Sequence, residues 1–332
     1  MIFPILSFLI VQGLVLCIDD KIGRQEFIRF KSLYNKKYRN LIEENLRYQL
    51  FSLQLDRVVR INTDFNNKRS TYKLAINQYS DLAYNEFLSK RCGLIVPSSM
   101  ARSAPIAETR KKKLNVGRQI ASFDWRDTGH VGLVKDQFDC GGCWAFAATA
   151  AIETQWSMYY GKLKNLSEQN LIDCTVGNYG CNGGVMQLAY DYVRKNKGIN
   201  DDLKYPYVGA GSASCRYKAG FPAANVSGYV QIEKGNEQQL EMAVREYGPV
   251  SVGVHASPDF MMYNGGVFNG SDCTNTLNHA VVVVGFNNVH QPNFWIVRNS
   301  WGSWWGESGY IRMLKGSNIC GIANLATYPI IV

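Results

Sequence analysis

The residue types most able to do chemistry together lie in Gln137-Phe138-Asp139-Cys140-Gly141-Gly142-Cys143-Trp144. A thiolate is the attacking form of cysteine, and a helix N-terminus or a neighbouring imidazolium favours it. Gly141 and Gly142 break the chain just before a helical pattern that runs from about Cys143 to Tyr160, so Cys143 is expected at such an N-terminus. A nucleophilic thiol also needs a base, and the chain has four histidines. His130 and His290 lie in turn-like sequence and His255 in a β run, whereas His279 stands at the mouth of the run Ala280 to Phe286. Each of the four, taken alone, reads more plainly as a structural histidine. What raises His279 is a third group: Asn299, in Arg298-Asn299-Ser300-Trp301-Gly302, has an amide oxygen that can accept from the imidazole and fix the ring.

The nine cysteines add a second line of reasoning. Cys17 and Cys92 stand in the front part of the chain and seven follow residue 118. In an oxidising compartment an odd count implies bridges plus one free thiol. Cys140-Gly-Gly-Cys143 is also a CxxC, which a thioredoxin-like redox protein would share, but that fold wants a compact βαβ context. A zinc site would need a second pair at suitable spacing, and none is present.

These groups must be positioned by a large body. A chain of 332 residues is expected to form at least two folding units. Ile2 to Leu16 is almost wholly apolar and gives way to Asp19, Asp20 and Lys21, the pattern of a secretory signal over residues 1–17. Later apolar runs fall short of the roughly 20 residues of a bilayer-spanning helix, so no membrane anchor is expected. From Asp20 to Asn67, apolar positions at helical spacing (Phe27, Phe30, Leu33 and Tyr34, then Leu46, Leu50, Phe51, Leu53, Val58 and Ile61) predict two amphipathic helices. A short strand over Tyr72 to Ile76 and a helix over Ser80 to Leu88, capped by Ser80 or Asp81, follow. Pro, Ser and Ala and then the basic run Arg110 to Lys113 mark residues 96–118 as an exposed linker. Residues 119–332 are rich in Gly, Trp and Tyr, with helices near Ser167 to Asp173 and Val185 to Lys195. Further β runs are Val250 to His255, Phe294 to Asn299 and Tyr310 to Met313.

The net charge of +9 is unevenly placed. Residues 1–118 hold 21 Lys and Arg against 10 Asp and Glu, and the remainder 15 against 17. A basic front segment without aromatic interleaving or a recognisable motif does not read as a nucleic-acid binder.

The Cys-Gly-Gly-Cys-Trp run, with His279 and Asn299 following 136 and 156 residues after Cys143, resembles the signature of the papain and cathepsin family of cysteine proteases. Glu43, Arg47, Phe51, Gln54, Val58 and Asn62 resemble the ERFNIN helix of cathepsin L propeptides, and Ala75, Asn77, Tyr79 and Asp81 the accompanying GNFD pattern. The resemblance implies an α+β, papain-like fold of two lobes, a helical N-terminal lobe and an antiparallel, β-barrel-like C-terminal lobe, preceded by a small helical propeptide. On that division residues 18–95 are the inhibitory propeptide, 96–118 the activation linker, with cleavage between Lys111 and Gln119, and 119–332 the peptidase.

The resemblance also implies roles. Cys143, His279 and Asn299 would be catalytic, Gln137 would supply an oxyanion-hole N–H, Trp301 would shield the Asn299–His279 bond, and Trp305 would line the leaving-group side. Substrate main chain would pair with the Asn182-Gly183-Gly184 segment, beside Asn278. The pocket for the second residue before the cut would be formed by Val185, Met186, Gly253, Leu277, Ala280 and Leu325, all apolar or small. The disulfides would join Cys140 to Cys181, Cys174 to Cys215 and Cys273 to Cys320, leaving Cys143 free in the peptidase. Gly142 stands where cathepsins carry Ser. Neither an occluding-loop insertion nor an aminopeptidase motif is visible, so an endopeptidase without metal or cofactor is implied, hydrolysing peptide bonds in proteins and peptides, inhibited by its own propeptide and by cystatin-type inhibitors, and acting as a monomer in lysosomes or outside the cell. The intact Cys143, His279, Asn299 and Gln137 argue against a degenerate homologue that binds without cutting. Asn165, Asn225 and Asn269 head glycosylation sequons.

Overall fold

The computed structural model describes residues 19–97, 121–211 and 214–332. The expected signal, residues 1–17, and all but the first two residues of the expected linker lie outside them.

The front segment forms α1 (Asp20–Leu33) and α2 (Leu41–Asn66), then β1 (Tyr72–Leu74) and α3 (Tyr84–Arg91). Phe27, Phe30, Tyr48, Phe51 and Leu55 make its own small core, with Phe27 5.3 Å and Phe30 4.9 Å from Phe51 between ring centroids. The expected helical face is partly out of phase: Leu33, Leu46 and Leu53 are exposed, while Tyr48 and Leu55 are buried. Tyr48 can line this seam because its hydroxyl reaches the Asp20 carboxylate at 2.6 Å.

The cap expected at Ser80 or Asp81 is not used. Both side chains have other partners, since Ser80 Oγ accepts from Asn77 N, and the Asp81 carboxylate receives Lys36 at 2.8 Å and Tyr38 at 2.9 Å. The helix therefore starts at Tyr84, where Glu86 accepts from the Ala83 N–H and pairs with Arg47 through two bonds.

In the body, β2 (Ser122–Asp124) precedes α4 (Cys143–Tyr160), α5 (Glu168–Cys174) and α6 (Met186–Lys195). Helix α4 is buried along most of its length, and its run of alanines lets neighbouring elements approach closely. Gly161, at φ 68°, terminates it in the left-handed region that favours glycine. Ser167 caps α5 by accepting from Asn170 N.

The remainder comprises β3 (Val226–Gln231), α7 (Glu237–Tyr247), β4 (Val250–Val254), α8 (Pro258–Met262), β5 (Tyr263–Phe268), β6 (His279–Asn287), β7 (Phe294–Arg298), β8 (Tyr310–Leu314) and β9 (Ala326–Ile331). The strand order β1-β5-β8-β7-β6-β4-β9-β3 is an open path, with β2 on β6, so the barrel-like lobe implied by the resemblance is a sheet that does not close. It is also not wholly antiparallel, because β5 and β8 run parallel.

The front segment is built into this body. Strand β1 adds to β5 in antiparallel register, Tyr72 opposite Gly266 and Lys73 opposite Gly265. Asn62 on α2 donates to Leu74 O and accepts from Leu74 N, and Asn77 donates to Met261 O. The charge asymmetry is realised in ion pairs across the same interface: Arg57 with Asp259 and Asp272, Lys90 with Asp139, and Arg91 with Asp136.

Candidate active site

Cys143 is the first residue of α4 and His279 the first of β6, so a helix start and a strand start converge. The Cys143 sulfur, wholly buried, faces the backbone N–H groups of Ala280, Gly93, Trp144 and Cys143 itself, with Gly93 N at 3.3 Å. Ala280 is the residue after His279, which brings the start of β6 to the thiol. His279 Nε2 lies 2.8 Å from Asn299 Oδ1, an acceptor, so this nitrogen carries the proton. The opposite nitrogen, Nδ1, is buried and has no hydrogen-bond partner. The Trp301 indole covers the imidazole at 4.6 Å between centroids, and Phe260 and Trp305 pack behind it.

Gln137 is fully buried beside Cys140. Ser300 Oγ donates to its amide oxygen at 2.7 Å, which turns the NH2 group toward the cleft. That Nε2 donates to Cys140 O at 2.7 Å and to Arg91 O at 3.0 Å, so one of its two protons is held by a peptide carbonyl of the front segment. Gly142, the N-cap of α4, makes no side-chain cap, and a Cβ there would lie 3.0 Å from Ile172 Cδ1, so the helix starts in a tight, uncapped turn.

The front segment continues through the cleft. Gly184 N donates to Gly93 O, Ile95 N to Gly184 O, and Leu94 N to Asn278 O, at 2.8, 3.0 and 3.0 Å. The group placed against the Cys143 sulfur at 3.3 Å is the Gly93 amide N–H. The approach is close enough to require glycine: a Cβ on Gly93 would sit 1.9 Å from Gly141 O, and one on Gly183, at φ 126°, would meet Gly93 O at 2.8 Å.

Leu94 enters the pocket expected for an apolar side chain. A Cβ on Gly253 would lie 2.7 Å from Leu94 Cδ2, 3.0 Å from Leu277 Cδ1 and 3.5 Å from Leu325 Cβ, and Val185, Met186 and Ala280 are buried in the same hydrophobic core as Leu94. Trp305 is buried and donates to Met261 O; Trp304 is the exposed member of the pair and packs on Tyr79. The bridges Cys140–Cys181, Cys174–Cys215 and Cys273–Cys320 are present, and among the described residues Cys92 and Cys143 are free. Asn165 is exposed, whereas Asn225 and Asn269 are half-buried.

The sequence did not single out Gly93, Leu94 and Ile95, since three residues after a helix carry no periodicity; only a glycine between apolar neighbours hinted at a close approach. Asn178 was also missed. Its amide accepts from Val185 N at 2.9 Å and donates to Val185 O at 3.1 Å, and thereby fixes the main chain next to Gly184.

Burial dominates the electrostatics. It pushes the Cys143 thiol up to about 11 against the opposing N–H groups, and lowers His279 to about 4, where the Asn299 bond opposes the shift and the Arg91 guanidinium adds to it. With the front segment in place, thiol and imidazole are therefore both neutral. No group of three or more His, Cys, Asp or Glu able to hold a metal occurs among the described residues, and there no helix is long and apolar enough to cross a membrane.

The sequence matches two family models: papain family cysteine protease over residues 120–330 and cathepsin propeptide inhibitor domain over residues 27–87. Among curated proteins it is similar to cathepsin S of Bos taurus, 40% identical over 305 residues that span 90% of each chain. It is also similar to digestive cysteine proteinase 2 of Homarus americanus, 39% identical over 91% of this chain and 93% of the relative. Among solved structures, the digestive procathepsin L2 proteinase from Tenebrio molitor larval midgut superposes with a TM-score of 0.86 at 37% identity, covering 93% of this chain and all of that one.

Proposed function

The chain belongs to the papain family of cysteine proteases and carries a cathepsin-type inhibitory propeptide, and from that premise we propose how its residues divide the work. It is made as a zymogen whose propeptide inhibits the peptidase in the same chain. In the processed enzyme His279 Nδ1 takes the Cys143 proton and the thiolate attacks a peptide carbonyl. Charge on the resulting oxyanion is held by the Cys143 N–H and the Gln137 Nε2. The imidazolium protonates the leaving amine, and water, deprotonated by the same ring, hydrolyses the thioester. Asn299 keeps the ring oriented throughout and Trp301 keeps water from that bond.

The observation that carries this reading is the front segment's path: an extended peptide lies in the cleft, its main chain paired with Gly184 on both sides and one N–H against the Cys143 sulfur. The Arg91 carbonyl on Gln137 Nε2 supports that amide as an acceptor-binding donor. Gln137→Ala is expected to lower kcat about 100-fold with little change in KM, since the interaction strengthens only as charge develops; an unchanged kcat overturns the role.

Leu94 among Gly253, Leu277 and Leu325 supports preference for Leu, Val, Phe or Pro at the second residue before the cut. Burying one aliphatic side chain contributes about 1.5–3 kcal/mol, or roughly 10- to 100-fold in specificity. Fluorogenic peptides varied at that position test this with the processed enzyme: Leu should exceed Arg by that margin in kcat/KM, and Arg exceeding Leu would sink the assignment.

We further assign residues 1–17 as a secretory signal, 18–95 as the propeptide, 96–118 as the activation linker and 119–332 as the mature monomer, with entry into the secretory pathway toward a lysosomal or extracellular destination. The exposed Asn165 is the most accessible of the three sequons, and the cleft that the propeptide leaves on processing would take cystatin-type inhibitors. Acid conditions favour release of the propeptide, because the Glu86 carboxylate paired with Arg47, which its ion pair holds below the usual range, loses its charge there.

A further inference from the structure

Six cysteines of the body are bridged, and the two free thiols among the described residues are brought to one place by the fold. Gly93 N lies 3.3 Å from Cys143 Sγ. A residue's amide nitrogen is about 2.4 Å from the preceding Cα, so Cys92 Cα lies within about 6 Å of that sulfur. In a disulfide each Cα stands about 4 Å from the partner sulfur, so closing this bond asks for a movement of up to about 2 Å. The thiols also sense each other, since after burial the next influence raising Cys92 is Cys143. The catalytic scheme gives Cys92 no task.

We propose that Cys92 is a modification site at which the zymogen closes a fourth disulfide, to Cys143, when it meets a low-molecular-weight disulfide such as oxidised glutathione. Cys92 is partly exposed and Cys143 wholly buried, which fixes the order of events. Burial keeps Cys92 protonated at neutral pH, so only its minor thiolate fraction attacks the small disulfide; a mixed disulfide forms, and one small thiol leaves with the Cys92 proton. His279 Nδ1, free of any other partner, takes the Cys143 proton; the Cys143 thiolate attacks the Cys92 sulfur, and the second small thiol leaves with that proton. Two protein thiols have lost two electrons and two protons, and the small disulfide has become two thiols.

Such a bond spends the nucleophile and ties the propeptide to the body, so cutting the linker no longer frees the cleft. Activation then requires a reductant as well as acid.

The test uses the full zymogen, incubated with oxidised glutathione at neutral pH, alkylated, digested without reduction and mapped by mass spectrometry. The expected product is a peptide pair joined through Cys92 and Cys143; after acid processing the propeptide comigrates with the mature chain until dithiothreitol is added. Cys92→Ser zymogen should process in the presence of oxidised glutathione and yield mature enzyme of unchanged kcat/KM. Glutathione on Cys92 without the cross-link, or an alkylatable Cys143 after incubation, overturns the proposal. Neither readout depends on how Cys143 acts in catalysis, so the cross-link and the catalytic reading fail separately.

Discussion

Cys143→Ala and His279→Ala, prepared as zymogens and processed in trans, should each lower kcat by about 10^5- to 10^6-fold, and the double variant should be no worse than either. The reason for non-additivity is that neither group acts alone. Without His279 the thiol has no acceptor for its proton, and without Cys143 the imidazole has no nucleophile to activate. What survives is the contribution of binding and of the N–H donors at Cys143 and Gln137, about 10^3- to 10^4-fold over water in comparable acyl-transfer enzymes. A parallel readout is covalent: an epoxide directed at cysteine proteases should label the wild-type enzyme at one site and leave Cys143→Ala unlabelled. Retention of more than about 1% of wild-type kcat by Cys143→Ala would remove the nucleophile from this scheme.

Much of this centre was legible in the sequence because each member sits beside a local signal. Two glycines announce the helix start at Cys143, His279 opens a run of valines that can only be a buried strand, and Asn299 lies between that strand's neighbour and an aromatic turn. The helices of the propeptide were legible too, but not their phase. Leu46 and Leu53 look like core residues by type, yet the seam follows Tyr48, Phe51, Leu55 and Val58, whose spacing is equally helical, and only the Asp20 partner for Tyr48 decides between the faces. Asp81 looked like a cap because a carboxylate before a helix usually is one; Lys36 and Tyr38, more than forty residues away, claim it instead. The path of Gly93 to Ile95 depends wholly on tertiary contacts with Gly184 and Asn278, so no local pattern could have disclosed it. The same applies to the open edge of the sheet, which is set by where β1 and β3 end.

The second large effect concerns the thiol before and after processing. With the propeptide in place Cys143 is pushed up to about 11, so at pH 7 only about one part in 10^4 is thiolate. Removing the propeptide hydrates the cleft and removes Arg91 from the neighbourhood of His279, which permits the thiolate–imidazolium pair. Iodoacetamide should therefore alkylate Cys143 in the processed enzyme about 10^3-fold faster than in the zymogen at pH 7. The pH dependence has a definite sign. Closed, the imidazole is lowered to about 4 from an ordinary 6.5, so holding it buried costs nothing above pH 6.5 and progressively more as the pH falls to about 4. The full cost is about 3 kcal/mol. Glu86, held below its ordinary 4.5 first by its bond to Arg47, acts in the same sense: its support for the propeptide fold is present above pH 4.5 and lost below it. Asp259 opposes both, because burial, reinforced by Asp272, raises its carboxyl, so its contribution to the closed form is present in acid and is lost as the pH rises. Between pH 6.5 and 5 the imidazole governs, and acid opens the zymogen. Labelling of intact zymogen, followed by mass with unprocessed chain counted separately, should accelerate relative to the processed enzyme as the pH falls from 6.5 to 4.5. Equal labelling rates of the two forms at pH 7 would show that the propeptide leaves the thiol's charge state untouched, and would reduce its inhibition to obstruction of the cleft alone.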